Sequence, residues 1–102
     1  MVDQSKFHIG EIIQHLKFGY RGVICEVDLN FAGSEQWYEQ VARSRPPKDQ
    51  PWYHVLVDGA AHTTYVAERH LEQDRCDIPV QHPLLAEHFD HFKDGRYGRV
   101  LH

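Results

Sequence analysis

The sequence predicts a mainly β domain, a small barrel carrying one long insert and followed by a short C-terminal helix. Three observations carry that expectation. Residues 23–28 alternate between faces, with Val23, Cys25 and Val27 at period two against Glu26 and Asp28. The run Trp52-Tyr-His-Val-Leu-Val57 is β-branched and aromatic, and it stops at Asp58-Gly59, a hairpin turn signal. Between the two, residues 30–51 lose all alternation and end in a segment whose Pro46, Pro47 and Pro51 cannot donate to a ladder.

Each element follows in chain order. Phe7, Ile9, Ile12, Ile13 and Leu16 supply a first strand, with Gly10 allowing a bend inside it. Gly19 and Gly22 can take the positive φ of a tight turn, which closes a first hairpin onto the alternating strand. Within the insert, residues 34–43 read as a short helix, with Ser34 as N-cap and Trp37 and Val41 four apart on one face. Trp52 and Tyr53 open the next strand and point to opposite sheet faces, so at least one belongs to the core. Residues 62–67 form the return strand, Glu68 to Leu71 a single helical turn, and the acidic stretch up to Asp77 closes the barrel. Farther on, Leu85, Phe89 and Phe92 stand at helical spacing behind Pro83, which suits a first turn, so residues 82–93 read as an amphipathic helix. Its apolar face must bury against the barrel or against a partner, because an isolated helix of about twelve residues is marginal in water. Gly95 and Gly98 then release the end. The whole is expected to be one domain, with residues 1–77 as the barrel, its insert at about 30–51, and residues 78–102 as helix and tail.

Composition bounds the function. With 102 residues, 41% hydrophobic and 25% charged, the chain supports one core. No apolar run approaches the ~20 residues of a membrane span. The first residues show no apolar core of a signal peptide, so the expected compartment is the cytoplasm, with Cys25 and Cys76 as free thiols. A formal charge of −4 argues against a general nucleic-acid binder, whose affinity rests on neutralising phosphates. A basic segment lies near the end, with Lys93, Arg96 and Arg99 against Asp94.

Catalytic chemistry finds no support. His88 and His91 are three apart, but no further ligand of zinc-site spacing accompanies them, so no metal is expected. Cys25 alternates inward and Cys76 lies in an acidic run, and neither thiol is placed for activation. No phosphate-binding glycine motif occurs, so no cofactor is expected and the chain is read as a non-enzyme. Tyr20, Trp52, Tyr53 and Tyr65, with Lys17 and Arg21 near the first turn, could instead make a base-stacking or peptide-binding surface.

Four blocks stand in a specific order: Lys6-Phe-x-Ile-Gly10, then Gly19-Tyr-Arg-Gly-Val-Ile24 with Val27 and Asp28, then Pro51-Trp-Tyr-His-Val55, then Thr64-Tyr-Val-Ala-Glu-x-x-Leu71. Together, over roughly residues 5–72, they resemble the HspQ family, also called the YccV-like or hemimethylated-DNA-binding domain. The Gly-x-x-Gly-Val pattern is also similar to KOW-type barrels, which usually carry a more basic strand. The family resemblance implies an SH3-like barrel, a heat-shock-associated bacterial protein of the cytoplasm, and self-association, with a trimer expected. It implies two activities. One is binding of hemimethylated DNA, for which Lys6, Lys17, Tyr20 and Arg21 are the candidate residues. The other is promoting degradation of damaged or denatured proteins, including the replication initiator DnaA, by an ATP-dependent protease such as Lon. Trp37, Tyr38, Leu85, Phe89 and Phe92 are the candidate contacts for that protease or its clients. Reading one methyl group demands several donors in the major groove, and cations here are few, so DNA binding should be weak and salt-sensitive. A protease accessory needs only exposed patches, and the sequence fits that role better. A third reading, an oligomer-forming barrel without a ligand, would bury the same apolar helix between subunits.

Overall fold

A computed structural model describes residues 5–42 and 44–99. Among them the fold is mainly β, with seven strands and two short helices. A five-stranded antiparallel sheet is built from β1 (Ile12–His15), β2 (Arg21–Asp28), β3 (Trp52–Val57), β4 (Thr63–Ala67) and β5 (Leu71–Gln73), in the order β4-β3-β2-β1-β5. A 3₁₀ turn over Glu68–His70 carries the chain from β4 to β5, which pairs with β1. The sheet therefore curls but does not close as a barrel, since no ladder joins β4 to β5. The sequence placed the end of the barrel at Asp77 but showed no strand after the helical turn, so β5 was missed, its Leu71-Glu-Gln73 being too short and polar to stand out.

Strand β2 does not keep the simple alternation read from its sequence. Its register against β3 shifts between Ile24 and Glu26, a bulge that leaves Cys25 without a partner of its own. Val23 and Cys25 consequently face one side of the sheet, while Ile24 and Val27 join the other. On that other side Ile13, Ile24, Tyr53, Val55, Val66 and Leu71 pack with Phe7. Tyr53 and Trp52 are both fully buried, in different clusters, so each is core.

Gly22 lies inside β2 rather than in the turn, and its role is close approach. A Cβ there would run into Val55 Cγ1 and lie 2.7 Å from the Leu56 carbonyl oxygen. The turn itself uses Gly19, at φ +76°.

The insert holds α1 (Glu35–Val41), capped as expected: Ser34 Oγ accepts from the Trp37 N–H at 3.1 Å. Tyr38 is buried from this helix against Trp52 and Ala67.

The C-terminal segment departs most from expectation. Only Leu85–His88 is helical (α2), and the chain then forms a hairpin of β6 (His91–Lys93) and β7 (Arg96–Gly98). The turn is Asp94-Gly95, at φ +54° and +77°, the mirror-image turn that Asp-Gly favours. The helical spacing of Leu85, Phe89 and Phe92 competed with that turn signal and lost. Phe89 and Val80 are buried, with Leu84, Leu85, Phe92 and Tyr97 beside them, on the outer face of the sheet over Ile12, Val23 and Leu56. The hairpin is tied to the strand edge by the Tyr97 N–H, which donates to the Gly10 carbonyl at 2.9 Å.

Because Gly22 has no room for a methyl group, Gly22→Ala should cost about 2–3 kcal/mol of stability. Urea denaturation should show a midpoint well below wild type, and an unchanged midpoint would remove the close-approach account.

Candidate functional site

A groove of about 650 Å³ runs along β4. The insert contributes Trp37, Val41, Ala42, Ser44 and Pro46 to it, and the β1–β2 turn with the 3₁₀ turn contributes His15, Lys17, Phe18, Tyr20 and His70. These two sets flank opposite faces of β4, because successive strand residues point opposite ways. On one face the Tyr20 hydroxyl meets Thr64 Oγ1 at 2.8 Å, and on the other the Trp37 ring packs at 5.7 Å from Tyr65. One end is closed where Ser44 Oγ meets His70 Nε2 at 3.0 Å and Arg69 donates to the Ser44 carbonyl at 2.7 Å.

Local chemistry holds the walls in place. Tyr65 donates to Asp28 Oδ2 at 2.8 Å and accepts from the Ala32 N–H at 3.0 Å, while His54 Nε2 lies 3.0 Å from the same Asp28 oxygen. Burial, and then the bond to Asp28, pushes the Tyr65 hydroxyl up to about 12, so it stays a donor at neutral pH. Phe31 stacks on Trp37, meets Trp52 edge-on and lies tilted against this tyrosine, which fixes the start of the insert on the sheet. Across the groove, His15 Nδ1 accepts the N–H groups of both Lys17 and Phe18 at 3.1 Å, capping the turn with an unprotonated nitrogen. Its ring stacks on Phe18 at 4.7 Å and lies parallel to His70 at 5.8 Å. Burial holds the His15 pKa below its ordinary value, helped by His70 and Lys17, and burial lowers His70 likewise. Among the described residues Lys17 is the only Lys, Arg, Asp or Glu side chain lining the groove.

Of the residues singled out in the sequence, Lys17, Tyr20 and Trp37 meet in this groove. The others lie elsewhere. Lys6 is exposed beside Phe7, in a separate shallow cleft with Glu11, Glu72 and Arg96. Arg21 is tied inside the fold, donating to Asp58 at 2.9 Å, to Asp74 at 2.7 Å and to the Ile78 carbonyl. Against the desolvation that pushes the other way, bonds from Cys76 and Arg21 hold the Asp74 carboxyl below its usual range. Tyr38 is buried, its hydroxyl donating to the Pro46 carbonyl at 2.7 Å. Leu85, Phe89 and Phe92 pack on the chain's own sheet. The residues that sequence reasoning missed are His15, Phe18 and His70. Phe18 is 70% exposed at the turn tip, and no periodicity marks a turn residue as a binding group.

The model of the YccV-like family, described as hemimethylated DNA-binding protein YccV like, matches residues 5–96. The span runs beyond the blocks recognised in the sequence, through α2 and β6 to the first residue of β7.

The His15 cap generates a pH dependence. Its pKa in the fold lies below the ordinary 6.5, so between those two values the unfolded chain binds more protons. Stability should therefore be full above pH 6.5 and fall as pH drops through that window, with His70 adding in the same sense. His15→Asn, which keeps an acceptor for the turn, should flatten the dependence of the urea midpoint on pH. An equally steep profile in that variant would mean that His15 is not its source.

Proposed function

The chain belongs to the YccV-like family, and from that premise we propose that it is a non-enzymatic accessory protein. In this reading it promotes degradation of damaged or denatured proteins, DnaA among them, by an ATP-dependent protease such as Lon. The observation that carries this reading is the groove along β4, open, aromatic and, among the described residues, carrying a single fixed charge. Damaged proteins expose apolar side chains on extended backbone, and a surface of Phe18, Tyr20, Trp37 and Tyr65 offers area to bury them. The half-exposed Val41 and the Phe18 ring would each add a favourable burial of roughly 1.5–3 kcal/mol when covered. An accessory of this kind needs no reacting groups, only affinity for client and protease.

The family's description favours a second reading, binding of hemimethylated DNA. The supply of free positive charge near the groove limits it. Arg21 is engaged by Asp58 and Asp74, Arg45 by Glu39, Lys48 by Glu35 and Arg96 by Glu11. DNA affinity resting on few phosphates would be weak and would still fall with salt, with a slope of about −0.9 per phosphate contacted.

Purified Lon with ATP should degrade a denatured substrate faster in the presence of this protein. Trp37→Ala should lower that stimulation about five-fold, the effect of losing one aromatic anchor. Anisotropy on unmethylated and hemimethylated duplexes should show weak binding without methyl preference, unchanged in Trp37→Ala. Methyl-selective binding with no effect on degradation would replace this reading by the second.

A further inference from the structure

The pairing of β3 with β4 determines which backbone groups β4 turns outward. Val57 N–H donates to the His62 carbonyl, and Glu68 N–H donates to the Pro51 carbonyl. With Val55 opposite Thr64 and Tyr53 opposite Val66, every second pair from 51/68 to 57/62 exchanges hydrogen bonds across the ladder. The residues between them, Thr63 and Tyr65, therefore point their N–H and C=O groups away from β3. Strand β4 is the last strand of the sheet on that side, and among the described residues no backbone hydrogen bond meets those outward groups. The groove already described follows this same edge.

We propose that the groove is a strand-addition site, in which an extended, uncharged and apolar segment of a partner polypeptide pairs with β4 through Thr63 and Tyr65. The proposal rests on the accessory-protein reading for its biological setting and adds the mode of recognition. An unpaired strand edge is complementary to a peptide backbone, which alone supplies donors and acceptors at matching two-residue intervals. Alternate side chains of the added strand fall on the two faces. One set meets Trp37 and Tyr65, and the other meets Tyr20 and Phe18. Charge complementarity points the same way: among the described residues of the lining, His15 and His70 are held toward the neutral form and Lys17 is the single fixed charge, which matches an uncharged segment better than a polyanion. Thr63 is exposed.

The test uses the full chain and a fluorescein-labelled peptide, Thr-Val-Phe-Thr-Val-Thr-Val-Thr, alongside the same peptide N-methylated at alternate residues. Methylation keeps the side chains and removes the donors along one edge. The unmodified peptide should bind, and methylation on the pairing edge should weaken it about ten-fold or more, the effect expected for losing a pair of hydrogen bonds. Thr63→Pro should weaken binding similarly, since its outward N–H takes no part in the β3 ladder. Should that variant misfold by circular dichroism, the two peptides on the wild-type chain decide the matter. Equal affinity for the methylated and the unmodified peptide overturns strand addition, even where Lon stimulation persists. So does displacement of the peptide by a hemimethylated duplex, or a concentration-dependent dimer in sedimentation that Thr63→Pro dissolves, since the edge then belongs to DNA or to a second copy. Methylation-sensitive binding with no Lon stimulation keeps the site and removes only its assignment to proteolysis.

Discussion

Gly22, Val23 and Ile24 are buried on both sides of β2, so this strand needs an apolar cover on each face of a sheet only five strands wide. One face is covered by the curl of the sheet itself, which brings Phe7, Tyr53, Val66 and Leu71 over Ile24. The other can be covered only by chain from outside the sheet, and the segment from Val80 to Tyr97 supplies it. The bulge between Ile24 and Glu26 makes the division workable. Without the extra residue, Val27 would share a face with Val23 and leave the inner cluster short at its end. Burial of Val80 and Phe89, worth roughly 1.5–3 kcal/mol each, fixes a segment that has only one helical turn and a hairpin of two three-residue strands of its own. That segment is consequently a wall of the core and has little apolar surface left for a partner.

The same economy shapes the groove. A seven-residue helix is too short to persist alone, and α1 is held by what surrounds it: the Ser34 cap, Tyr38 buried against Trp52, and Phe31 among the aromatic rings of Trp37, Trp52 and Tyr65. Trp52 is the pivot, since its ring carries the insert while its neighbour Tyr53 fills the opposite cluster. Tyr53 also accepts from the Phe7 N–H and donates to Glu68, so the two consecutive aromatics fasten the leader, the sheet and the insert together. Once the insert is anchored on one face of β4 and the β1–β2 turn on the other, a groove along that strand follows from topology.

Much of this was legible in the sequence where local chemistry and tertiary need agree. Ser34 as cap, the Asp58-Gly59 turn and the β-rich run from Trp52 are each dictated by the residues themselves, and the structure keeps all three. The misses occur where tertiary context overrides a local pattern. Alternation in β2 assumes a strand wet on one side, and a doubly buried, bulged strand obeys it only in part. Helical spacing in residues 85–92 is real, yet Asp94-Gly95 and the sheet face waiting to be covered give the chain a better use as a hairpin. In the site, Tyr20 and Trp37 could be named because aromatics near a turn and on a short helix stand out. His15, Phe18 and His70 could not, because only the β1–β5 pairing brings residue 15 beside residue 70.

The cations show how composition and geometry combine to set a ligand class. A net charge of −4 does not by itself forbid a local basic surface. What matters is how many cations are left over once the fold has used its own, and which way they face. Arg21 joins the β3–β4 turn, through Asp58, to the segment after β5, through Asp74, and so holds both ends of the sheet against the start of the C-terminal cover. Removing its charge would strand two half-buried carboxylates, so the residue is committed to the fold before any ligand arrives. Lys48 and Arg45 are similarly spent on the acids of α1. Among the described residues, the surface left open beside β4 is therefore one of rings, imidazoles and unpaired backbone with Lys17 at its rim, which suits the extended polypeptide segment proposed above.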